Sequence, residues 1–411
     1  MYTTVVVFLV TYTAMAIGRL PGLRVDRTGV ALLGGIALLV FQKITPDAAW
    51  MAVSFPTISL LFGLMIVSAS FAVSGFYDWV AQRATAMTLG PRALLAVMIG
   101  ISAILSSILT NDVVVVAMVP LIIQLCVARR LNPVPFLLGF CFASNAGAAG
   151  TIIGSPQNMI IAQGMNLSFT GFMQAALIPS MLSLIPIWGV LSILYAGRWT
   201  LAPGTASRQA SPAPLPLNQI ELAKATLVTV LVLAAFVLTS WPRGQIALAG
   251  AAILLVNRKI ASSDMLKHVD GNLFILLGGL FVVNAALATT GLPQRILTDV
   301  ARAGIDFQHP LVLYVTIGVL SDIVGNNPAA LLLTPYIKGD NPELSGAAMA
   351  LGTAFASNII VFGSIAGIIA VQAAEEHGQP ISFGEFSRAG IPVTLLSMLI
   401  GAAWLLLLTR V

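Results

Sequence analysis

The chain has 411 residues, of which 58% are hydrophobic and only 9% are Asp, Glu, Lys or Arg, with a formal net charge of +5. A soluble chain cannot hide that much apolar surface, so the bilayer is its solvent. The basic residues are scattered over short loops instead of gathered in a patch, which argues against a nucleic-acid partner. Cys126 and Cys141 lie in hydrophobic segments with no CxxC or metal-ligand spacing, so no disulfide framework, metal or other cofactor is indicated.

The first span, Tyr2 to about Gly18, lacks a basic n-region and a small-x-small cleavage site, and is taken as a mature helix rather than a signal peptide. Further spans follow near 28–43, 56–76, 134–162 and 172–197. A stretch rich in Pro, Ala and Ser, residues 199–221, then reads as a linker. Beyond it come spans near 222–240, 244–257, 271–290, 345–373 and 389–409. Between the third and fourth spans of each half sits a segment, 93–127 or 309–337, interrupted midway by a polar turn.

The halves resemble each other. ALLGGIALLVFQKI from Ala31 and ALAGAAILLVNRKI from Ala247 match at 8 of 14 positions with an offset of 216. FASN recurs at Phe142–Asn145 and Phe355–Asn358, and LTNDVVVVAMVP, ending at Pro120, is echoed by VGNNPAALLLTP, ending at Pro335. Three blocks in one order at near-constant spacing mark a duplication, with repeat 1 over 1–198 and repeat 2 over 222–411. If the interrupted segments are re-entrant hairpins, each repeat crosses an odd number of times and the second is inverted. The expected fold is therefore an all-α polytopic membrane protein of two inverted repeats, each with five transmembrane helices and one hairpin.

Placing the N-terminus outside puts 14 Lys and Arg residues, including Arg19, Arg27 and Arg208, in cytoplasmic loops and leaves 6 outside. This orientation satisfies the positive-inside rule. One hairpin then enters from each face, and their tips meet near the midplane.

Four polar runs interrupt apolar segments: Thr110-Asn111-Asp112; Ser144-Asn145 and the residues after it; Gly325-Asn326-Asn327-Pro328; and Ser357-Asn358 with the following IIVFGSIAG. Backbone that leaves a helix in hydrocarbon strands N–H and C=O groups, so such breaks persist only where protein, substrate or ions satisfy them. The bland alternative is that they are caps and packing contacts. Matching positions in two halves favour a lined cavity, with half-helix N-termini aimed into it. Gly147, Gly150, Thr151, Ser155, Asn158, Gly363 and Ser364 fall in or beside these runs and are expected to support them.

Asp112 is the sharpest single residue. Burial penalises only its charged form, so a carboxyl at membrane depth is suited to loading and releasing a proton, although it would also serve as a helix cap. Its repeat partner is Asn327, so proton coupling is expected from one half alone. Asp322 is a second acid, with a structural or polar-lining role expected. No Lys or Arg lies within several residues of the breaks in sequence, which points to a neutral or cationic cargo. Cys126 and Cys141 read as small buried apolar residues, and His268, His309 and His377 fall in or beside loops. No HExxH, GxSxG or Walker motif is present, so neither enzyme chemistry nor ATP hydrolysis is supported.

TNDVVVVAMVPL, ASNAGAAGTIIGSPQN, GNNPAALLLTP and FASNIIVFGSIAG resemble the ion transporter superfamily of arsenite permeases, NhaD-type sodium/proton antiporters and sodium-coupled dicarboxylate carriers. The resemblance implies Asn111, Asp112, Ser144, Asn145, Asn326, Asn327, Ser357 and Asn358 as the substrate or ion shell. The TND and SN…GSPQN pattern is most similar to the arsenite permease branch. That branch implies efflux of arsenite and antimonite against protons across the cytoplasmic (inner) membrane of a prokaryote, a cytoplasmic ATPase subunit as partner, and a homodimer formed through the scaffold. The alternatives are sodium/proton antiport, sodium-coupled anion or dicarboxylate carriage, and a membrane scaffold subunit without transport.

Overall fold

The computed structural model describes residues 1–18, 20, 22–200, 215–376 and 378–410. Most of the expected linker 199–221, the cytoplasmic placements of Arg19 and Arg208, and the loop position of His377 lie outside the described residues.

The first half forms α1 (Tyr2–Ile17), α2 (Arg27–Val40), α3 (Pro46–Ala52), α4 (Phe55–Val73), α5 (Phe76–Ala86), α6 (Pro91–Ile108), α7 (Asn111–Ala128), α8 (Pro133–Ala148), α9 (Pro156–Gly164), α10 (Phe169–Leu182) and α11 (Leu184–Leu194). The second forms α12 (Gln219–Leu238), α13 (Arg243–Leu255), α14 (Ser262–Leu266), α15 (Gly271–Ala288), α16 (Leu292–Arg302), α17 (Pro310–Val324), α18 (Asn326–Leu333), α19 (Pro342–Ala356), α20 (Ile365–Glu376) and α21 (Phe383–Thr409). No strand occurs among the described residues; Leu131 and Thr200 form an isolated bridge. Seven described helical segments are long and apolar enough to cross a bilayer, α6 and α7 among them. The protein is an all-helical polytopic membrane protein.

Helix starts follow local chemistry. Asp26, Ser54, Ser168, Asp270 and Ser382 each accept a backbone N–H of the helix they precede. The short helices α3, α5, α14 and α16 went unread because their apolar character is low or their length slight. Their starts keep an offset of 216, and α5 and α16 both follow a left-handed glycine, Gly75 at φ 76° and Gly291 at φ 66°.

Packing crosses between the halves. α2 lies along α15 and α4 along α13, both intimately. Small residues allow it: a Cβ on Gly63 would stand 2.5 Å from the Ala247 carbonyl carbon, and one on Gly279, its repeat equivalent, would strike the Ala31 carbonyl oxygen. Within each half, α6 packs on α8 and α17 on α19. The α6–α7 pair closes at its base, where Arg129 Nη2 donates to Leu89 O at 2.6 Å. The α17–α18 pair closes in the same manner: Gln308 Nε2 donates to Tyr336 O at 3.2 Å, and Gln308 Oε1 accepts from Lys338 N at 2.6 Å. The two ends of each pair thus lie together.

The expected spans 134–162 and 345–373 are not continuous helices. The first breaks between α8 and α9, the second between α19 and α20, at the Ser-Asn runs and the residues after them.

Candidate substrate site

Each break is held open by specific bonds. Before α7, Thr110 donates its N–H and its hydroxyl to Ser68 Oγ at 2.9 and 3.0 Å, and Asn111 N donates to Gly154 O at 2.9 Å. Between α8 and α9, Asn158 Nδ2 donates to the carbonyls of Ala148 and Thr151 at 2.9 and 2.8 Å, which answers two of the oxygens that the unwinding frees. Thr151 Oγ1 donates to Ser107 O and accepts from Gly154 N. Before α18 the chain turns at Gly325, whose φ of 97° with ψ 156° suits glycine alone.

The Ser-Asn runs meet each other. Asn145 Nδ2 donates to Asn358 Oδ1 at 2.9 Å and to Ser364 Oγ at 3.1 Å, joining the halves through equivalent residues. Ser144 pairs with Ser106 at 2.8 Å, and Ser357 Oγ lies 3.1 Å from Asn326 Oδ1 while donating to Thr353 O at 2.6 Å. These residues bind the breaks to their neighbours. Gly147 has a packing role, since a Cβ there would come within 2.5 Å of Ala103 Cα. Gly150 sits against Leu177 and Ser180.

Beside this bonded centre lies a cavity of about 210 Å³. Of the residues singled out from sequence, Asn111, Asp112, Asn326, Asn327, Gly363 and Ser364 line it. Ser144, Asn145, Ser357 and Asn358 stand behind the wall, as do Thr110, Ser155 and Asn158. Asp322 is also behind the wall: its Oδ1, without a partner, is 3.0 Å from where a Cβ on Gly363 would lie. Asn111 Oδ1 and Asn327 Oδ1 are likewise buried without a protein donor.

Arg27, Thr28, Gln157, Asp270 and Asn272 also line the cavity, and none was singled out as a site residue. Arg27 matters most. Its Nε donates to Met15 O at 3.1 Å, and its Nη1 is 3.8 Å from where a Cβ on Gly325 would lie. The expectation that no cation attends the breaks is therefore corrected: α2 brings a guanidinium to the second break from about 300 residues away in sequence. The available signal was the repeat itself, since Arg27 and Arg243 sit four residues before the matched blocks.

The first turns of α2, α7, α9, α15, α18 and α20 all contribute to the lining. Their N–H dipoles bring partial positive charge to one small volume, and Arg27 adds a full one. Asp112 and Asp270 oppose them, Asp270 being engaged by the N–H groups of Asn272 and Leu273. Cys126 and Cys141 are fully buried and do not line the cavity. Among the described residues no His, Cys, Asp and Glu cluster could hold a metal ion.

A family model described as "Citrate transporter" matches residues 12–357. An uncharacterized transporter of Mycobacterium tuberculosis is 30% identical over 427 residues, covering 98% of this chain and 97% of that protein. The P protein of Homo sapiens is 26% identical, covering 93% of this chain and 57% of its own length. Among solved structures, the YdaH transporter of Alcanivorax borkumensis aligns with a TM-score of 0.58 at 14% identity, covering 98% of this chain and 97% of that one. MtrF of Neisseria gonorrhoeae, from a class described as antimetabolite efflux pumps, aligns with a TM-score of 0.58 at 12% identity, covering 98% and 94%. At such identities the two structures support the shared fold alone.

Proposed function

Since the chain belongs to the citrate transporter family, within the ion transporter superfamily, and is a membrane transporter, we propose that its cargo is a small carboxylate anion such as citrate, moved together with protons. The observation that carries this reading is Arg27 in a cavity ringed by helix N-termini. A carboxylate accepts a planar two-donor fork from a guanidinium, and backbone N–H groups and the Asn111, Asn272, Asn326 and Asn327 amides supply further donors. The volume of about 210 Å³ lies below the roughly 300–1,000 Å³ usual for drug-sized ligands, so the cargo is small.

Efflux of neutral arsenite or antimonite hydroxide drew support from the lack of a nearby cation. Arg27 removes that support, and neither cysteine lines the cavity. The ATPase subunit belongs to the arsenite reading and leaves with it. Asp112 remains the coupling group we assign. Ionised, it repels the anion across a small space; protonated, it can donate a hydrogen bond, so proton and anion load together. Two inverted repeats, with re-entrant pairs α6–α7 and α17–α18, an outside N-terminus, an inner-membrane location and a scaffold-mediated homodimer complete the proposal. The closed bases of both pairs support the hairpin assignment.

The test is labelled citrate uptake into proteoliposomes with and without an imposed pH gradient. The reading expects wild type to accumulate citrate when the gradient drives protons along with it. Asp112→Asn should retain citrate exchange and lose gradient-driven accumulation. Equal gradient-driven accumulation by both proteins would remove Asp112 from coupling.

A further inference from the structure

The two halves pack alike but leave unlike seams. α4 packs on α9, whereas their repeat equivalents, α15 and α20, stand on two sides of the cavity, through Leu273 and Leu276 on one and Ile365 and Ile368 on the other. One seam is closed and its twin is open.

The arginines at these seams are also equivalents, Arg27 at the first position of α2 and Arg243 at the first position of α13. Their surroundings differ. Arg27 Nη1 stands near Gly325 at the open cavity. Arg243 Nη2 instead donates to the carbonyl of Leu167, in the turn between α9 and α10, which fastens the start of α13 across the closed seam. Leu167 precedes the N-cap Ser168, and in the second half Ile381 precedes the N-cap Ser382. The second half therefore has an equivalent carbonyl, while among the described residues Arg27 donates to Met15 O instead.

From this asymmetry we infer that Arg27 and Arg243 exchange roles as the carrier alternates. In the opposite-facing form Arg243 leaves Leu167 O, lines the cavity opened between α4 and α9, and offers the anion a guanidinium there. Arg27 meanwhile donates to Ile381 O and fastens the seam between α15 and α20. An inverted repeat makes such an exchange natural, because swapping the conformations of the two halves converts one facing state into the other. The inference rests on the carboxylate and repeat readings above for its cargo and its symmetry. It goes beyond them in assigning Arg243 as the residue that meets the anion on the second side.

The exchange is read by thiol labelling of the full-length protein in membranes, with Cys126 and Cys141 replaced by alanine. Single cysteines are placed at Leu276, which lines the open seam, and at Leu60, its fully buried equivalent on α4. Wild-type Arg243 should leave Leu276→Cys reactive and Leu60→Cys protected. Arg243→Gln should raise labelling of Leu60→Cys at least about fivefold, since losing a charge-assisted hydrogen bond made in one state alone shifts a two-state balance towards the other. Arg243→Lys, which keeps the charge, provides a second variant if Arg243→Gln fails to reach the membrane. Leu60→Cys that stays protected in both, while Leu276→Cys remains reactive, overturns the exchange. Citrate added to wild type distinguishes the premises: labelling that switches with Arg243→Gln but ignores citrate, in a protein that does not transport it, keeps the exchange and refutes the cargo.

Discussion

Replacing Arg27 with glutamine should weaken citrate binding without unfolding the protein. The side chain is near the open cavity, with only its Nε committed, to Met15 O. Its loss leaves Met15 O with the Gly18 N–H as its donor and removes the full positive charge from the cavity lining. Truncating one partner of a desolvated, hydrogen-bonded charge pair costs about 2–5 kcal/mol. Glutamine retains one donor, so the lower part of that range, about 2–3 kcal/mol, is expected, or roughly a 30- to 150-fold loss of affinity. Arg27→Lys should recover part of it, because an ammonium keeps the charge and loses the planar fork. The assay is citrate exchange in proteoliposomes over a range of concentrations at one pH. Arg27→Gln with an unchanged KM, in protein that melts like wild type, would refute Arg27 as the anion's counter-charge.

Other outcomes follow from the same geometry. Asn145→Ala removes two buried hydrogen bonds and leaves Asn358 Oδ1 without its donor, while Ser364 Oγ keeps the N–H of Gly367; it should lower stability by about 2–3 kcal/mol, and a double-mutant cycle with Asn358→Ala should show coupling above about 0.5 kcal/mol, measured by thermal melts in detergent. Gly390→Ala would drive a methyl into the Asn358 carbonyl oxygen; thermal stability should fall and transport should drop sharply, while Gly384→Ala, where a Cβ meets open space, should leave both intact. Ser68→Ala takes the acceptor from Thr110 N and Oγ1 at the tip of the first helix pair; a buried N–H left unpaired costs about 1–3 kcal/mol, visible as a lower melting temperature and slower citrate exchange.

The sequence made the membrane environment and the breaks in the helices legible because each is a local pattern. Asn111 and Asp112, or Asn326 and Asn327, interrupt apolar runs within a few residues, and hydrocarbon makes such an interruption costly enough to be informative. What the local pattern could not display was the far side of the cavity. Arg27 and Asp270 look like ordinary loop charges next to helix starts, and only the crossing of α2 with α15 places them opposite the breaks. The residues near the breaks in sequence carry no sign of that guanidinium, nor therefore of the charge preference of the cavity. The Ser-Asn runs taught the opposite lesson. Asn145 and Asn358 are expected from sequence in the substrate shell, but side-chain direction turns them towards each other and leaves Ser364 and Gly363 to face the cavity. Amphipathic α16, with no buried residue, and the five-residue α14 carried too little apolar signal to be read before the fold was known.

The most direct measurement of the central claim is labelled-citrate counterflow in proteoliposomes of the purified protein, with excess unlabelled citrate inside and arsenite tested as a competitor. A carboxylate carrier built around Arg27 should show transient citrate accumulation that Arg27→Gln greatly reduces and arsenite leaves untouched. Arsenite flux without citrate counterflow would contradict it.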